Sequence, residues 1–324
     1  MSKRSVVWSG ALLAATLLAS PTQAADWPSR PIHIIVPYAA GGPTDLTIRT
    51  LAPVVSATLG QTVVVENKLG GATMTATQAV VAADPDGYTI GAAAAPLALN
   101  TALGVATPYD PIKDLQYVVR LVDVPACILV NPKHPAKTFA ELVSWAKAQK
   151  DPVLFATAGA GSMPHLWFSL VATRLGFQVK HVGYRGSAPA LLDLIAGSVN
   201  LMVDAYNPSC QHQSAGDVRV LGYAWDRRIA VQSDIPTLKE QGFDLPPSAA
   251  TFGIIAPKAT PDDIVAKLNA AFNKALTDPP TRAALEKNSL LPSGGTPAEY
   301  KAFVADQIAT WTKVAKDNHI EAEQ

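Results

Sequence analysis

The chain has 324 residues, 26 basic and 26 acidic side chains and a formal net charge of zero, with 48% apolar residues and only 16% charged ones. Without Lys3 and Arg4 the balance is 24 basic against 26 acidic, and no dense basic cluster occurs, so nucleic acid is not an expected partner. The length suffices for two lobes, each with its own core.

Residues 1–24 read as a secretory signal peptide. Lys3 and Arg4 precede an apolar run from Val6 to about Leu18, and Pro21-Thr22-Gln23-Ala24 places small residues where a signal peptidase cuts, after about Ala24. The apolar run is shorter than the roughly 20 residues of a membrane span. No cysteine follows the cleavage region, so lipid anchoring through an N-terminal cysteine is not expected, and the mature chain should be soluble and exported.

Four times an apolar strand empties into a loop of small residues and then a helix. The first is Ile32-His33-Ile34-Ile35-Val36-Pro37-Tyr38, then Ala39-Ala40-Gly41-Gly42 and Pro43-Thr44-Asp45, with Pro43 suited to a first helical position. The second starts at Thr62 and runs through Lys68-Leu69-Gly70-Gly71-Ala72-Thr73. The third starts at Val153 and continues as Thr157-Ala158-Gly159-Ala160-Gly161-Ser162-Met163-Pro164-His165. The fourth passes from Val179 through Gly183-Tyr184-Arg185-Gly186-Ser187-Ala188-Pro189 into a helix that Gly197 stops. Such loops gather backbone N–H groups at helix starts, which suits an anion. Lys68 and Arg185 are their only cations, so neutral dipoles would provide most of the grip.

Further strands are expected near Tyr88, Val118, Cys127, Leu201, Val218 and Ile254, and a helix near Phe139, which makes the class α/β. Pro125 and the pair Pro246-Pro247 interrupt apolar patterning and mark where the chain should cross between lobes. Thr260 should cap a helix with Pro261 in its first turn, and Thr296-Pro297-Ala298-Glu299 forms a capping box ahead of Tyr300, Phe303, Ile308, Trp311 and Val314, aromatic and aliphatic residues that read as core. Cys127 lies in an apolar strand and reads as a small buried residue. Two cysteines are no framework for a chain of this size, and the balance of the reading is against a Cys127–Cys210 bridge.

Enzyme motifs are missing. There is no Gly-x-x-x-x-Gly-Lys, no His-Glu-x-x-His, and the six histidines show no metal-ligand spacing on one helix, so no catalytic residue, metal or cofactor is expected. The alternative is an exported α/β hydrolase using Ser162, but Gly161-Ser162-Met163-Pro164 lacks the Gly-x-Ser-x-Gly pattern. His165 could donate to a bound carboxylate. Asp204 ends a strand at the edge where α/β ligand crevices lie, or caps the turn at Asn207-Pro208. Asp45, in a first helical turn, complements the helix dipole or contacts ligand.

Trp27-Pro28-Ser29-Arg30-Pro31-Ile32, Ile35-Val36-Pro37-Tyr38 with Gly41-Gly42-Pro43-Thr44-Asp45, and Pro85-Asp86-Gly87-Tyr88-Thr89 resemble the Bug family, the TctC-type extracytoplasmic solute receptors. Gly161-Ser162 with Pro164-His165-Leu166, and Tyr184-Arg185-Gly186-Ser187-Ala188-Pro189-Ala190-Leu191, extend the likeness over the mature chain. The resemblance implies a type II periplasmic-binding-protein fold, two α/β lobes joined by crossover strands with an interlobe cleft. It implies lobe 1 from residues 25–125 plus 247–324 and lobe 2 from residues 126–246.

It also implies a periplasmic, monomeric receptor for a small organic carboxylate, held by N–H groups and bound water. Its partners would be the membrane subunits of a tripartite tricarboxylate transporter or a sensor kinase. The ligand residues it points to are Tyr38, Ala39, Ala40, Gly41, Gly42, Thr44, Asp45, Gly70, Gly71, Ala72, Thr73, Thr157, Ala158, Gly159, Ser162, His165, Arg185, Ser187 and Asp204. The second loop departs from the family pattern, lacking its proline and asparagine, and Thr251 stands where tryptophan is common before Phe252-Gly253.

Overall fold

A computed structural model describes residues 27–70, 73–159, 161–184, 186–205, 207–318 and 320. The expected signal peptide and the candidate residues Gly71, Ala72 and Arg185 lie outside the described residues.

Two mixed sheets carry the fold. The first half supplies β1 (Ile32–Val36), α1 (Pro43–Leu59), β2 (Val63–Asn67), α2 (Met74–Val81), β3 (Thr89–Ala93), α3 (Pro96–Ala102) and β4 (Leu115–Pro125). The chain continues with β5 (Cys127–Val130), α4 (Phe139–Lys147), β6 (Val153–Thr157), α5 (Met163–Leu175), β7 (Val179–Gly183), α6 (Ser187–Ala196), β8 (Leu201–Asp204), α7 (Asn207–Gln211) and β9 (Arg219–Tyr223). It returns through β10 (Ala249–Pro257), α8 (Asp262–Thr277), α9 (Pro279–Lys287), β11 (Leu291–Pro292) and α10 (Pro297–Asp317). The strand orders are β11-β4-β10-β3-β1-β2 and β7-β6-β8-β5-β9.

Parallel pairing of β1 with β2 and β3, and of β6 with β7 and β8, sends the loops that follow these strands to one edge of each sheet. Ligand crevices of α/β sheets form at such edges. The inner strand β1 buries Ile32, Ile34 and Val36 completely on one face, while the other face carries buried Ile35 and the half-exposed His33. Pro43 opens α1 and Gly60, at φ 70°, closes it in the left-handed conformation.

The chain passes between sheets at Ala126, whose N–H donates to the Ser248 carbonyl at 2.8 Å while its carbonyl accepts from Ala224 N–H at 2.9 Å. The strands β4 and β10 that lead to and from this point pair antiparallel over nine positions, from Ala249↔Pro125 to Pro257↔Leu115. Each sheet is packed on both faces, the first by two clusters of buried residues and the second by two more. Tyr300 and Val304 of α10 belong to a core with Ile35, Val80 and Tyr117, whereas Trp311, Val314 and Ala315 of the same helix belong to the second sheet's core with Phe155 and Phe168.

Two expectations are corrected. Cys127 and Cys210 form a disulfide, with Cα atoms 6.3 Å apart, because β5 lies beside β8 and α7 folds back directly after it; a sequence separation of 83 residues hides that proximity. α8 begins at Asp262 with Pro261 as its N-cap, one residue later than the capping pattern suggests, and the Thr260 hydroxyl is buried without a partner among the described residues. The capping box of α10 forms as expected, with Glu299 N–H donating to Thr296 Oγ1 at 3.2 Å and Thr296 N–H to Glu299 Oε2 at 2.7 Å.

Candidate functional site

The loop between β1 and α1 is held by Asp45. Gly41, at φ 84°, donates its N–H to Asp45 Oδ2 at 2.9 Å, and Asn67 Nδ2 donates to Asp45 Oδ1 at 2.9 Å and to the Tyr38 carbonyl at 2.8 Å. Arg49, one turn along α1, donates Nε to both carboxylate oxygens at 3.0 and 2.9 Å. Burial alone would raise the Asp45 pKa, but the bonds from Arg49, Gly41 and Asn67 outweigh it and hold the carboxyl below its ordinary value. Asp45 is 2% exposed and fully engaged, so it shapes this loop from within. Gly42 N–H is also engaged, donating to the Ala39 carbonyl at 3.3 Å.

The groups left over are specific. Helical bonding in α1 starts with Leu46 N–H on the Gly42 carbonyl at 2.8 Å, which leaves Thr44 and Asp45 N–H ahead of the ladder at the positive end of the helix dipole. Ala39 and Ala40 N–H make no hydrogen bond to another described residue. Tyr38 is 37% exposed, yet desolvation pushes its hydroxyl up to about 12, as for a ring that has protein around it and solvent along one side.

In the second loop Gly70 has φ 130°, and a Cβ there would lie 2.8 Å from Thr75 Oγ1. Thr73 caps α2 at φ 74°, a left-handed conformation that costs a β-branched residue about 1–3 kcal/mol. Its hydroxyl is buried and has no partner among the described residues.

The second lobe's loop, after β6, turns on Thr157, which is fully buried. The Thr157 hydroxyl donates to the Gly159 carbonyl at 2.9 Å and accepts from Gly159 N–H at 3.3 Å and Ser162 Oγ at 3.4 Å, while His181 Nε2 lies 2.7 Å away. Gly161, at φ 68°, donates its N–H to His165 Nδ1 at 3.0 Å. Ser162 is the N-cap of α5, whose ladder starts with Leu166 N–H on the Ser162 carbonyl at 3.1 Å, leaving Met163 and His165 N–H ahead of it. The adjacent loop is tied on by Gly186 N–H to the Ala158 carbonyl at 2.9 Å and Tyr184 N–H to the Thr157 carbonyl at 3.1 Å; Ser187 then opens α6. Asp204, 3% exposed, accepts from Ser209 Oγ at 2.7 Å, a bond to the start of the next helix.

The two lobes meet at this edge. A Cβ on Gly161 would come within 2.9 Å of Leu103 Cδ1, just past α3 of the first lobe. Ala94 and Ala95, which follow β3, share one crevice with Met163 of α5 and with Thr251 of β10. The structure therefore brings Thr44, Asp45 and Thr73 to one lobe's edge and Ser162, Met163, Ser187 and Asp204 to the other's. It engages Gly41, Gly42, Thr157 and the His165 Nδ1 internally.

Sequence reasoning missed Arg49, Asn67, Leu103 and His181. Arg49 was legible as the i+4 partner of Asp45. Asn67 required knowing that β2 lies beside β1.

A family model described as tripartite tricarboxylate transporter family receptor, TctC, matches residues 47–320. Protein BugT of Bordetella pertussis is 33% identical over 310 residues, 95% of each chain. Among solved structures, one of R. palustris Rpa4515 with adipate superposes with TM-score 0.80 at 32% identity, covering 92% of this chain and all of the other. MatC of Rhodopseudomonas palustris with bound malate superposes with TM-score 0.72 at 32% identity, covering 89% of this chain and 99% of the other.

Proposed function

The chain belongs to the tripartite tricarboxylate transporter receptor family, TctC, and on that premise we propose that it is an exported, periplasmic receptor that captures a small organic carboxylate between its lobes. The observation that carries this reading is the pair of helix starts at the interlobe edge. Thr44 and Asp45 N–H of α1 stand on one side and Met163 and His165 N–H of α5 on the other, each ahead of its own helical ladder.

One carboxylate end is seated on the first lobe by Thr44 and Asp45 N–H, the Ala39 and Ala40 N–H groups, the Thr73 hydroxyl and bridging water, beside Tyr38 and Gly70. The second lobe closes on the other end with α5, Ala158, Gly159, Ser162 and Ser187, and Asp204 sits at the strand edge beside them. Closure follows because a ligand that touches both lobes favours the closed arrangement by its differential affinity for it. The working division into residues 25–125 plus 247–324 and residues 126–246 is supported by β4 and β10 lying in the first sheet and β5 to β9 in the second. The closed form then serves the membrane subunits of a tripartite transporter, or a sensor.

Adipate and malate, named with two structural neighbours, define the probes, with citrate as a tricarboxylate. In a thermal-shift screen an acid present at a hundred times its dissociation constant stabilises the protein by about 2.7 kcal/mol. No shift with any mono-, di- or tricarboxylate overturns the proposal.

A further inference from the structure

The six histidines are dispersed along the chain, yet two of them meet. The ring centroids of His165, in the first turn of α5, and His181, in the middle of β7, lie 3.6 Å apart with the planes inclined by 12°. Phe155 of β6 borders both, at 5.9 and 5.0 Å between centroids. Each ring is also bonded to the second lobe's candidate ligand loop.

The first of those bonds fixes the tautomer of His165. His165 Nδ1 accepts the Gly161 N–H, so that nitrogen is bare and the proton sits on Nε2. The Thr157 hydroxyl lies 2.7 Å from His181 Nε2 and also meets the Gly159 carbonyl at 2.9 Å, a bond that either neutral tautomer of His181 satisfies. Neutral rings stack; two imidazolium rings at this separation would repel. The hollow beside the pair is faced by Ser169 and Thr173 of α5, Phe155 of β6, Gln178 ahead of β7 and Asn318 after α10, and among the described residues lining it none but the two histidines can carry a charge. Burial accordingly pushes His165 down to about 4, and burial together with the neighbouring ring pushes His181 down to about 3.

We propose that His165 and His181 are positioning residues for ligand capture, a neutral stacked pair that holds the loop after β6, through Gly161 and Thr157, in the shape that presents the start of α5 to the cleft. This rests on the reading that the loop forms half of a carboxylate site. His165 then supports the site through its ring rather than touching ligand with it, and His181, which no motif marks, becomes part of the binding apparatus.

The test uses the mature protein with adipate, malate and citrate as probes. His165→Asn, whose Oδ1 can accept the Gly161 N–H, and His181→Gln, whose Nε2 can reach Thr157, keep affinity within about threefold of the parent protein. His165→Ala and His181→Ala each lose roughly tenfold or more, the equivalent of one hydrogen bond. In the protein without added acid, nitrogen spectra show both rings neutral from pH 7 to pH 5, His165 as the Nε2–H tautomer, and hydrogen exchange at the Gly161 amide is slow in the parent and in His165→Asn but fast in His165→Ala. Equal affinities for the alanine and amide variants, a charged ring at pH 6, or unchanged Gly161 exchange in His165→Ala overturns the proposal. A parent protein that takes none of the three acids overturns the carboxylate reading instead, and the spectra and exchange still decide whether the pair holds the loop.

Discussion

The Thr251 hydroxyl donates to Asp123 Oδ1 at 2.6 Å, joining directly opposed residues of the two strands that lead the chain between its sheets. Arg120 and Ser293 bind the same carboxylate, and the Arg120 guanidinium lies 3.9 Å above the Phe303 ring of α10. Asp123 thus ties β4, β10, the segment after β11 and, through Arg120, α10.

Asp123→Ala removes the anion from a site only 3% exposed and leaves Arg120 without its partner. The expected loss is about 3–5 kcal/mol, against about 1–2 kcal/mol for Thr251→Val, which removes one hydrogen bond. Urea unfolding of the two variants checks the ratio. Equal losses would show that the charge is not what the site depends on.

Asp45→Ala releases Gly41 N–H, Asn67 and Arg49 together. Ligand affinity should fall by roughly tenfold or more through distortion of the loop, with stability lower by about 1–3 kcal/mol. Calorimetric titration with the best-binding acid separates the two effects, since an unchanged dissociation constant would show that the loop keeps its shape without the carboxylate.

The Cys127–Cys210 bridge closes a long loop, and both residues are buried at 0% and 1% exposure. Replacing both with alanine should lower stability by about 2–4 kcal/mol. Unfolding midpoints compared with and without reductant check this, and the double variant should show no reductant effect.

Stability should also follow the two histidines. Both rings have folded-state pKa values below the ordinary histidine value, about 4 and about 3. The unfolded chain therefore binds more protons between about pH 6.5 and those values, and stability rises with pH across that window. Above about pH 6.5 the contribution is constant; as the solution is acidified toward pH 4 it is progressively lost. Unfolding curves at pH 7, 5.5 and 4.5 measure the slope, which should flatten in a His165→Asn, His181→Gln double variant.

Strand and helix identity was legible because β1, β6 and β10 are apolar runs bounded by small-residue loops, and helix starts carry proline or capping residues. The family was legible from motifs spread over the chain. Contacts across sequence were not: His165 and His181 meet only because β7 lies beside β6, and Cys127 reaches Cys210 only because β5 lies beside β8. The glycines of the first loop looked like donors for a ligand. Asp45 takes one of them, since an acid one turn into a helix can reach back to the loop that precedes it.

The helix α10 is a member of two cores. Its head, with Tyr300 and Val304, is packed under the first sheet, its tail, with Trp311 and Val314, under the second, and Thr173 of α5 donates to Asn318 at its end. A strap riveted to both halves ties them mechanically, so parting them widely would have to unseat Trp311 from the second core.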